Sequence, residues 1–139
     1  MPDLLIERDG PVVILRMNRP ARRNAMTLAM FGRLADAWDE IDADKDVRVC
    51  VLTGAGKHFS AGMDLRAMAD DVDPTDDYDV AGRMEREGSR WIYDGLLKTR
   101  HPRVPVIAAV EGNAIAGGTE ILQGTEIRVA GESSIFGVS

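Results

Sequence analysis

Histidine and cysteine are scarce in this sequence, which excludes several kinds of site. The single cysteine, Cys50, cannot form an internal disulfide, and a reducing cytoplasm is therefore the expected location. The two histidines, His58 and His101, are too few and too isolated to indicate a metal centre. We expect both to be surface loop residues, and no metal site is predicted.

Long apolar runs and an excess of basic residues are also missing. No stretch approaches the roughly 20 residues that cross a bilayer, and the N-terminus lacks the pattern of a secretory signal. A net charge of −6 argues against nucleic acid or an anionic membrane as the main partner. With 45% hydrophobic and 29% charged residues, the 139 residues are predicted to form one globular domain, residues 1–139.

The charges that are present are unevenly distributed. Six aspartates crowd residues 70–79, and we expect a solvated, mobile loop there because like charges repel. Four arginines crowd residues 16–23, and these admit two interpretations, an anion-binding cluster or a solvated face.

Hydrophobic periodicity predicts an α/β fold. Residues 4–8 and Val12–Met17 read as a β-hairpin around Gly10, and a helix with one apolar face begins after Thr27, its predicted N-cap. Further strands are predicted at residues 47–53, Val106–Val110 and Ile127–Ala130, a helical turn at 65–69, an amphipathic helix through Met84, Trp91, Ile92, Leu96 and Leu97, and a helix at 119–123. Strands that alternate with helices are typical of α/β proteins.

Two familiar motifs fail on inspection. Residues 54–57 suggest a phosphate-binding loop, but His58 stands where that loop needs serine or threonine after its lysine. Ser60 is not a nucleophile elbow, since His58 occupies the position of its first glycine. Neither nucleotide hydrolysis nor serine catalysis is therefore indicated.

Two other segments, residues 58–65 and 106–120, carry the candidate chemistry. Each leads from a buried strand through small residues toward a helix, where the first backbone amides lack partners. Two such amides aimed at one point would form an oxyanion hole and polarise a thioester carbonyl toward its enolate, with help from the helix dipole. Taken alone, Gly117–Gly118 could be only a tight turn, Glu120 a solvated helix-start acid, and Met63 a packing residue.

Together these segments resemble the crotonase (enoyl-CoA hydratase/isomerase) superfamily. The resemblance runs along essentially the whole chain and rests on Asn18-Arg19-Pro20, Arg23-Asn24-Ala25, Val51-Leu52-Thr53-Gly54, Phe59-Ser60-Ala61-Gly62-Met63-Asp64-Leu65 and Pro105-Val106-Ile107-Ala108-Ala109-Val110-Glu111-Gly112, which all occur in family order. It implies a spiral of repeated β-β-α units, of which this chain is the N-terminal core without the C-terminal helical part.

The resemblance also implies roles for particular residues. The amides of Met63 and Gly117 would form the oxyanion hole, and Glu120 would be the catalytic acid–base group. Coenzyme A would enter as part of an acyl-CoA substrate, so no separate cofactor is needed. It would lie against residues of both segments and of the arginine-rich loop: Arg23, Asn24, Ala25, Ala61, Gly62, Asp64, Leu65 and Gly118. The family further implies a homotrimer or a dimer of trimers.

The sequence departs from the family pattern in two places. Ala116 replaces a glycine found in many members, which we expect to be a mild change. The hydratases' second glutamate aligns one position beyond Ser139, and the apolar residues Ile135, Phe136 and Val138 predict that the natural chain continues.

The predicted function is hydration of a 2-enoyl-CoA in fatty-acid or related lipid degradation. One alternative is an enoyl-CoA isomerase or another enolate-forming crotonase, because Glu120 alone could shuttle a proton. A second is a non-catalytic CoA-binding module. The acyl group is left open.

Overall fold

The computed structural model describes residues 2–65 and 77–138. The helical turn predicted at residues 65–69, apart from Leu65, and most of the aspartate-rich segment fall outside this range. Asp77 and Asp79, at its end, are described, and both are engaged: Asp77 pairs with Arg33 (3.0 Å), and the Asp79 side chain accepts the Gly82 N–H (2.9 Å) at a helix start.

A five-stranded sheet forms one face of the molecule. The predicted hairpin is confirmed as β1 (Leu4–Asp9) and β2 (Val12–Met17), which pair antiparallel around Gly10 at φ +56°. The next three strands, β3 (Val49–Gly54), β4 (Val106–Val110) and β6 (Ile127–Ala130), add in parallel, giving the order β1-β2-β3-β4-β6. Alternate residues of β2, β3 and β4 are buried, as one covered sheet face requires.

A second, smaller sheet was not predicted. It consists of β5 (Asn113–Ile115) and β7 (Ile135–Gly137), which pair in parallel. Ser60 extends this layer through a parallel bridge to Ala114. The chain thus runs from β4 in the large sheet to β5 in the small layer, and then from β6 in the large sheet to β7 in the small layer. Since β4 pairs with β6 and β5 with β7, both in parallel, these two pairs of strands are successive turns of a spiral.

The helix α1 (Leu28–Ala43) supplies much of the core. Its predicted cap is confirmed, since the Thr27 hydroxyl accepts the Met30 N–H at 3.1 Å. The predicted apolar face is also confirmed: Phe31, Leu34, Ala35, Trp38 and Ile41 are all buried. These side chains cover one face of the helix because they recur every three or four residues.

The predicted second amphipathic helix is in fact two helices, α2 (Val80–Glu87) and α3 (Arg90–Gly95). Gly88, at φ +72°, separates them because that backbone conformation cannot continue a right-handed helix. The helix predicted at residues 119–123 is likewise divided, into the single turn α4 (Gly117–Glu120) and a 3₁₀ turn (Ile121–Gly124).

Trp38 joins α1 to α3 by donating its indole N–H to the Gly95 carbonyl (3.0 Å). Among the residues described, no helix has both the length and the apolar character needed to cross a membrane.

Candidate active site

The Met63 amide is left unpaired by the way its neighbours pair. The Met26 N–H donates to the Gly62 carbonyl (2.6 Å), and the Asp64 N–H donates to the Met26 carbonyl (2.8 Å). Because successive amides of an extended segment point to opposite sides, the Met63 N–H points away from Met26. Within the described ranges it has no hydrogen-bond acceptor.

The register of the small layer brings this amide beside Gly117. Ser60 is bridged to Ala114 in parallel, and three residues further along each segment stand Met63 and Gly117. A methyl group built on Gly117 would lie 3.6 Å from the Met63 nitrogen, and one built on Gly62 would lie 3.1 Å from the Gly117 nitrogen. The structure therefore juxtaposes the two amides that the family resemblance implied.

Gly117 is the first residue of α4, where a helix leaves its amides without intrahelical partners. An oxygen atom placed between Met63 and Gly117 could accept from both N–H groups, as a developing enolate oxygen would. The expected contribution of a helix dipole is small, since α4 has four residues.

Steric constraints differ among the three glycines of the site, Gly62, Gly117 and Gly118. Gly62 adopts φ +90°, and a Cβ there would lie 2.7 Å from the Ile115 carbonyl oxygen. A Cβ on Gly118 would lie 2.4 Å from the Ser60 carbonyl oxygen, so this position is a close backbone approach. A Cβ on Gly117 would have its nearest neighbours at 3.6 Å. Close packing explains Gly62 and Gly118, whereas a methyl group on Gly117 would make only ordinary van der Waals contacts, one of them with the Met63 nitrogen.

Ala116 is a larger departure than the sequence suggested. Its backbone adopts φ 47° and ψ −115°, a conformation that favours glycine and strains a residue with a Cβ. The two candidate amides nevertheless remain adjacent. The replacement therefore affects backbone strain and leaves the site geometry in place.

Asn24 and Ser60 are fully buried and hold the site's loops together. The Asn24 side chain donates to the carbonyls of Ala55 (2.9 Å) and His58 (2.7 Å) and accepts the Arg19 N–H (2.8 Å). The Ser60 hydroxyl donates to the Asn24 carbonyl (2.8 Å) and accepts the Gly62 N–H (3.1 Å). Every polar atom of the Asn24 side chain is thus committed to the fold, and the predicted contact of Asn24 with coenzyme A stays a prediction.

Asp64 is also a structural residue. Its buried carboxylate pairs with the Arg19 guanidinium at 2.9 Å, and Arg19 also donates to the Ala25 carbonyl (2.6 Å). These contacts, with the Ala61 N–H donating to the Arg23 carbonyl (2.9 Å), join the arginine-rich loop to the Met63 loop.

The remaining predicted CoA contacts lie at the surface of that junction. Ala25 and Ala61 are half-buried, and Leu65 is exposed. Arg16 and Arg19 are paired with carboxylates, whereas Arg22 and Arg23 are exposed and have no carboxylate partner among the described residues. Of the four clustered arginines, Arg22 and Arg23 are therefore the two that have no carboxylate partner among the described residues and could meet an anionic ligand.

Glu120 ends α4, close in sequence to Gly117. Its side chain is 41% exposed, and Oε2 lies 2.9 Å from the Lys98 ammonium. Among the described residues, Glu120 therefore offers the site an accessible carboxylate, with a cation against it, on the same turn of helix as one of the free amides.

Comparison with known proteins decides the family. The sequence profile of the family described as enoyl-CoA hydratase/isomerase matches residues 7–139. The chain belongs to the enoyl-CoA hydratase/isomerase family.

Members of this family with different names are similar to the chain. It is 54% identical over 140 residues to the enoyl-CoA hydratase EchA19 of Mycobacterium tuberculosis, covering 99% of this chain and 50% of that protein. It is 35% identical to the mitochondrial Delta(3,5)-Delta(2,4)-dienoyl-CoA isomerase of Rattus norvegicus, covering 91% of this chain and 39% of that protein.

Solved structures of the family show the same fold. The crystal structure of enoyl-CoA hydratase EchA1 from Mycobacterium marinum superposes with a TM-score of 0.80 at 38% identity, covering 99% of this chain and 49% of that one. The crotonase-type α/β fold expected from the sequence is thereby confirmed. The chain spans about half the length of the relatives that it matches.

Two contacts in this family member escaped the sequence analysis. His58 is half-buried, and its Nδ1 accepts the Asn113 N–H at 3.0 Å, so the expected surface histidine is a link between two site segments. The Lys98–Glu120 contact joins residues far apart in the chain, and periodicity cannot reveal such a pair. Within the described residues, no three His, Cys, Asp or Glu side chains are grouped as a metal site would need.

Proposed function

We propose that this chain carries the oxyanion hole, the first acid–base carboxylate and part of the coenzyme A site of an enoyl-CoA hydratase. The observation that carries the proposal is the adjacency of two free amides, Met63 and Gly117, with Glu120 one helical turn away. Similarity to proteins named enoyl-CoA hydratase supports the same activity.

The proposed reaction begins with the thioester carbonyl oxygen between the two amides. The Glu120 carboxylate removes a proton from water as the water oxygen bonds to C3, and the C2=C3 electrons move toward the thioester oxygen. Hydrogen bonds from Met63 and Gly117 strengthen as negative charge develops on that oxygen. The protonated Glu120 then gives this proton to C2, the carbonyl re-forms, Glu120 is again a carboxylate, and the product is a 3-hydroxyacyl-CoA.

Coenzyme A is proposed to enter as part of the substrate, and no other cofactor takes part in this scheme. Its phosphates would meet Arg22 and Arg23, the two arginines of the cluster at residues 16–23 that have no carboxylate partner among the described residues. A lipid-degrading role and a reducing compartment remain predictions. The free, buried Cys50 supports the second of these.

A homotrimer or dimer of trimers is also proposed. Apolar side chains along β6 and β7 are about half exposed or more: Ile127, Val129, Ile135 and Phe136. Such a patch is typical of a surface that packs against further protein. Light scattering after size-exclusion chromatography measures the assembly, and a monomeric mass would contradict it.

The activity is tested with purified protein and crotonyl-CoA, following loss of the conjugated thioester. We expect hydration by the unsubstituted protein and a decrease of about 10²-fold or more in kcat for Glu120→Gln, since a positioned acid–base group contributes on that order. Glu111→Gln, an exposed glutamate, serves as the control. Equal activity of Glu120→Gln and the unsubstituted protein would contradict the role of Glu120.

Isomerisation is the second candidate. The similarity to a dienoyl-CoA isomerase favours it, as does a mechanism in which one carboxylate moves a proton between two carbons. A 3-enoyl-CoA offered to the same protein distinguishes the two activities. Formation of the 2-enoyl-CoA without subsequent hydration would identify an isomerase.

A further inference from the structure

We propose that Lys98 is a positioning residue that holds the Glu120 carboxylate in its reactive orientation. Its Nζ lies 2.9 Å from Glu120 Oε2, and the two side chains are 36% and 41% exposed. This inference rests on the proposed function, because Glu120 needs an orientation only if it exchanges a proton with a ligand. No other side-chain partner of Glu120 occurs among the described residues.

The backbone that presents Lys98 is fixed at the end of α3. The Lys98 N–H donates to the Tyr93 carbonyl (2.9 Å), and the Leu97 N–H donates to the Asp94 carbonyl (3.1 Å). Leu97 adopts φ 58°. This pair of bonds around a left-handed residue is a Schellman motif, which usually has glycine where Leu97 stands. Lys98 therefore leaves the helix end in a defined direction.

The segment that follows Glu120 packs directly against this helix end. The Gln123 side chain donates to the Leu97 carbonyl at 3.0 Å. A Cβ on Gly124 would lie only 2.4 Å from the Leu97 Cβ, so the two backbones approach as closely as glycine allows. Leu97 is itself buried. The bases of the Lys98 and Glu120 side chains are thus held relative to each other by independent contacts.

Glu120, at the end of a four-residue helix, has three rotatable side-chain bonds, and its side chain is 41% exposed, so packing restricts its rotamers only in part. A cation at a fixed place selects the orientations that keep the carboxylate near it. A misplacement of about 1 Å at a reacting group can cost roughly 10²-fold in rate. The alternative is an ordinary surface ion pair, which would contribute little to stability and would leave kcat unchanged.

The experiment compares Lys98→Met and Lys98→Arg with the unsubstituted protein in the crotonyl-CoA assay. We expect kcat to decrease about tenfold for Lys98→Met with KM unchanged within about twofold, because orientation of the acid–base group affects the chemical step. Lys98→Arg should retain most of kcat, since a guanidinium also donates to a carboxylate. Thermal unfolding should be the same in all three.

A matched control is Arg8→Met. Arg8 and Asp44 form an ion pair of similar length (2.8 Å) and exposure (44% and 40%) on β1, away from the site. We expect this variant to leave kcat unchanged. A kcat for Lys98→Met that equals or exceeds that of the unsubstituted protein would overturn the positioning role, as would equal losses in Lys98→Met and Arg8→Met.

Failure of the proposed function gives a different result. If the unsubstituted protein hydrates no enoyl-CoA, the same variants are assayed for exchange of the α-protons of a saturated acyl-CoA with D₂O, which needs a positioned Glu120 but no hydration. A loss of exchange in Lys98→Met alone supports the inference even then. Absence of exchange in the unsubstituted protein overturns both proposals.

Discussion

Replacing Gly117 with alanine adds one methyl group beside the Met63 amide, and this change separates a catalytic glycine from a structural one. The new Cβ would meet its nearest neighbours, Gly62 Cα and the Met63 nitrogen, at 3.6 Å, an ordinary van der Waals distance. Gly117 has no left-handed φ, so the fold can accept the methyl group. The free energy of unfolding should therefore stay level or rise by about 0.4–1 kcal/mol, because alanine restricts the unfolded chain.

The hydratase activity of Gly117→Ala should decrease although its stability does not. The methyl group narrows the space in which the thioester oxygen is proposed to lie between the two amides. Loss of one oxyanion-hole donor typically costs about 10²–10³ in kcat, or roughly 2.7–4 kcal/mol, and we expect about 10²-fold for Gly117→Ala. The decrease should appear in kcat and in kcat/KM alike, as it does when an interaction made in the transition state is lost.

Two neighbouring substitutions make the comparison informative. Gly118→Ala would place its Cβ 2.4 Å from the Ser60 carbonyl oxygen, and we expect a destabilisation of about 1–3 kcal/mol. Gly137→Ala in β7 meets its nearest neighbour at 3.4 Å and should change neither stability nor kcat. Urea unfolding and the crotonyl-CoA assay measure the two quantities. A stable Gly117→Ala protein with undiminished kcat would refute the placement of the oxyanion hole.

Three further predictions concern strain, burial and charge. Ala116→Gly should raise the urea midpoint, since removing left-handed strain of about 1–3 kcal/mol outweighs the entropy that glycine costs; a lower midpoint would contradict the strained geometry. Burial raises the pKa of Cys50 to about 12 from an ordinary 9.0, so the folded thiol should resist a disulfide reagent at pH 8 and react in denaturant. Because of the same pKa shift, the Cys50 thiol contributes its full stabilisation below pH 9 and loses it progressively between pH 9 and 12. Urea titrations should therefore give a free energy of unfolding that is about 1.4 kcal/mol lower at pH 10. Arg22→Ala and Arg23→Ala should each raise KM for acyl-CoA about fivefold at low salt, roughly 1 kcal/mol, whereas Arg90→Ala, an exposed arginine on α3, should not.

Local sequence patterns predicted the structure correctly where a helix or strand depends only on residues close together in the chain. The spacing of Phe31, Leu34, Trp38 and Ile41 predicted the buried face of α1, and Thr27 predicted its start, because both depend on residues within a few positions. Gly88 shows the limit of this reasoning. Apolar spacing continues from Met84 to Leu97, but a single left-handed backbone position ends one helix and lets another begin.

The site depended on the family resemblance for its residues and on the tertiary structure for its geometry. The sequence by itself determined which segments carry small residues before a helix, and the resemblance implied the candidates Met63, Gly117 and Glu120 within them. Only the parallel register of the small layer decided that the first two amides meet, because Ser60 and Ala114 pair across a long stretch of chain. The same folding committed Asn24 and Asp64 to internal hydrogen bonds and brought Lys98 to Glu120. Contacts between residues distant in sequence leave no periodic signal, since they form only when separate elements pack together.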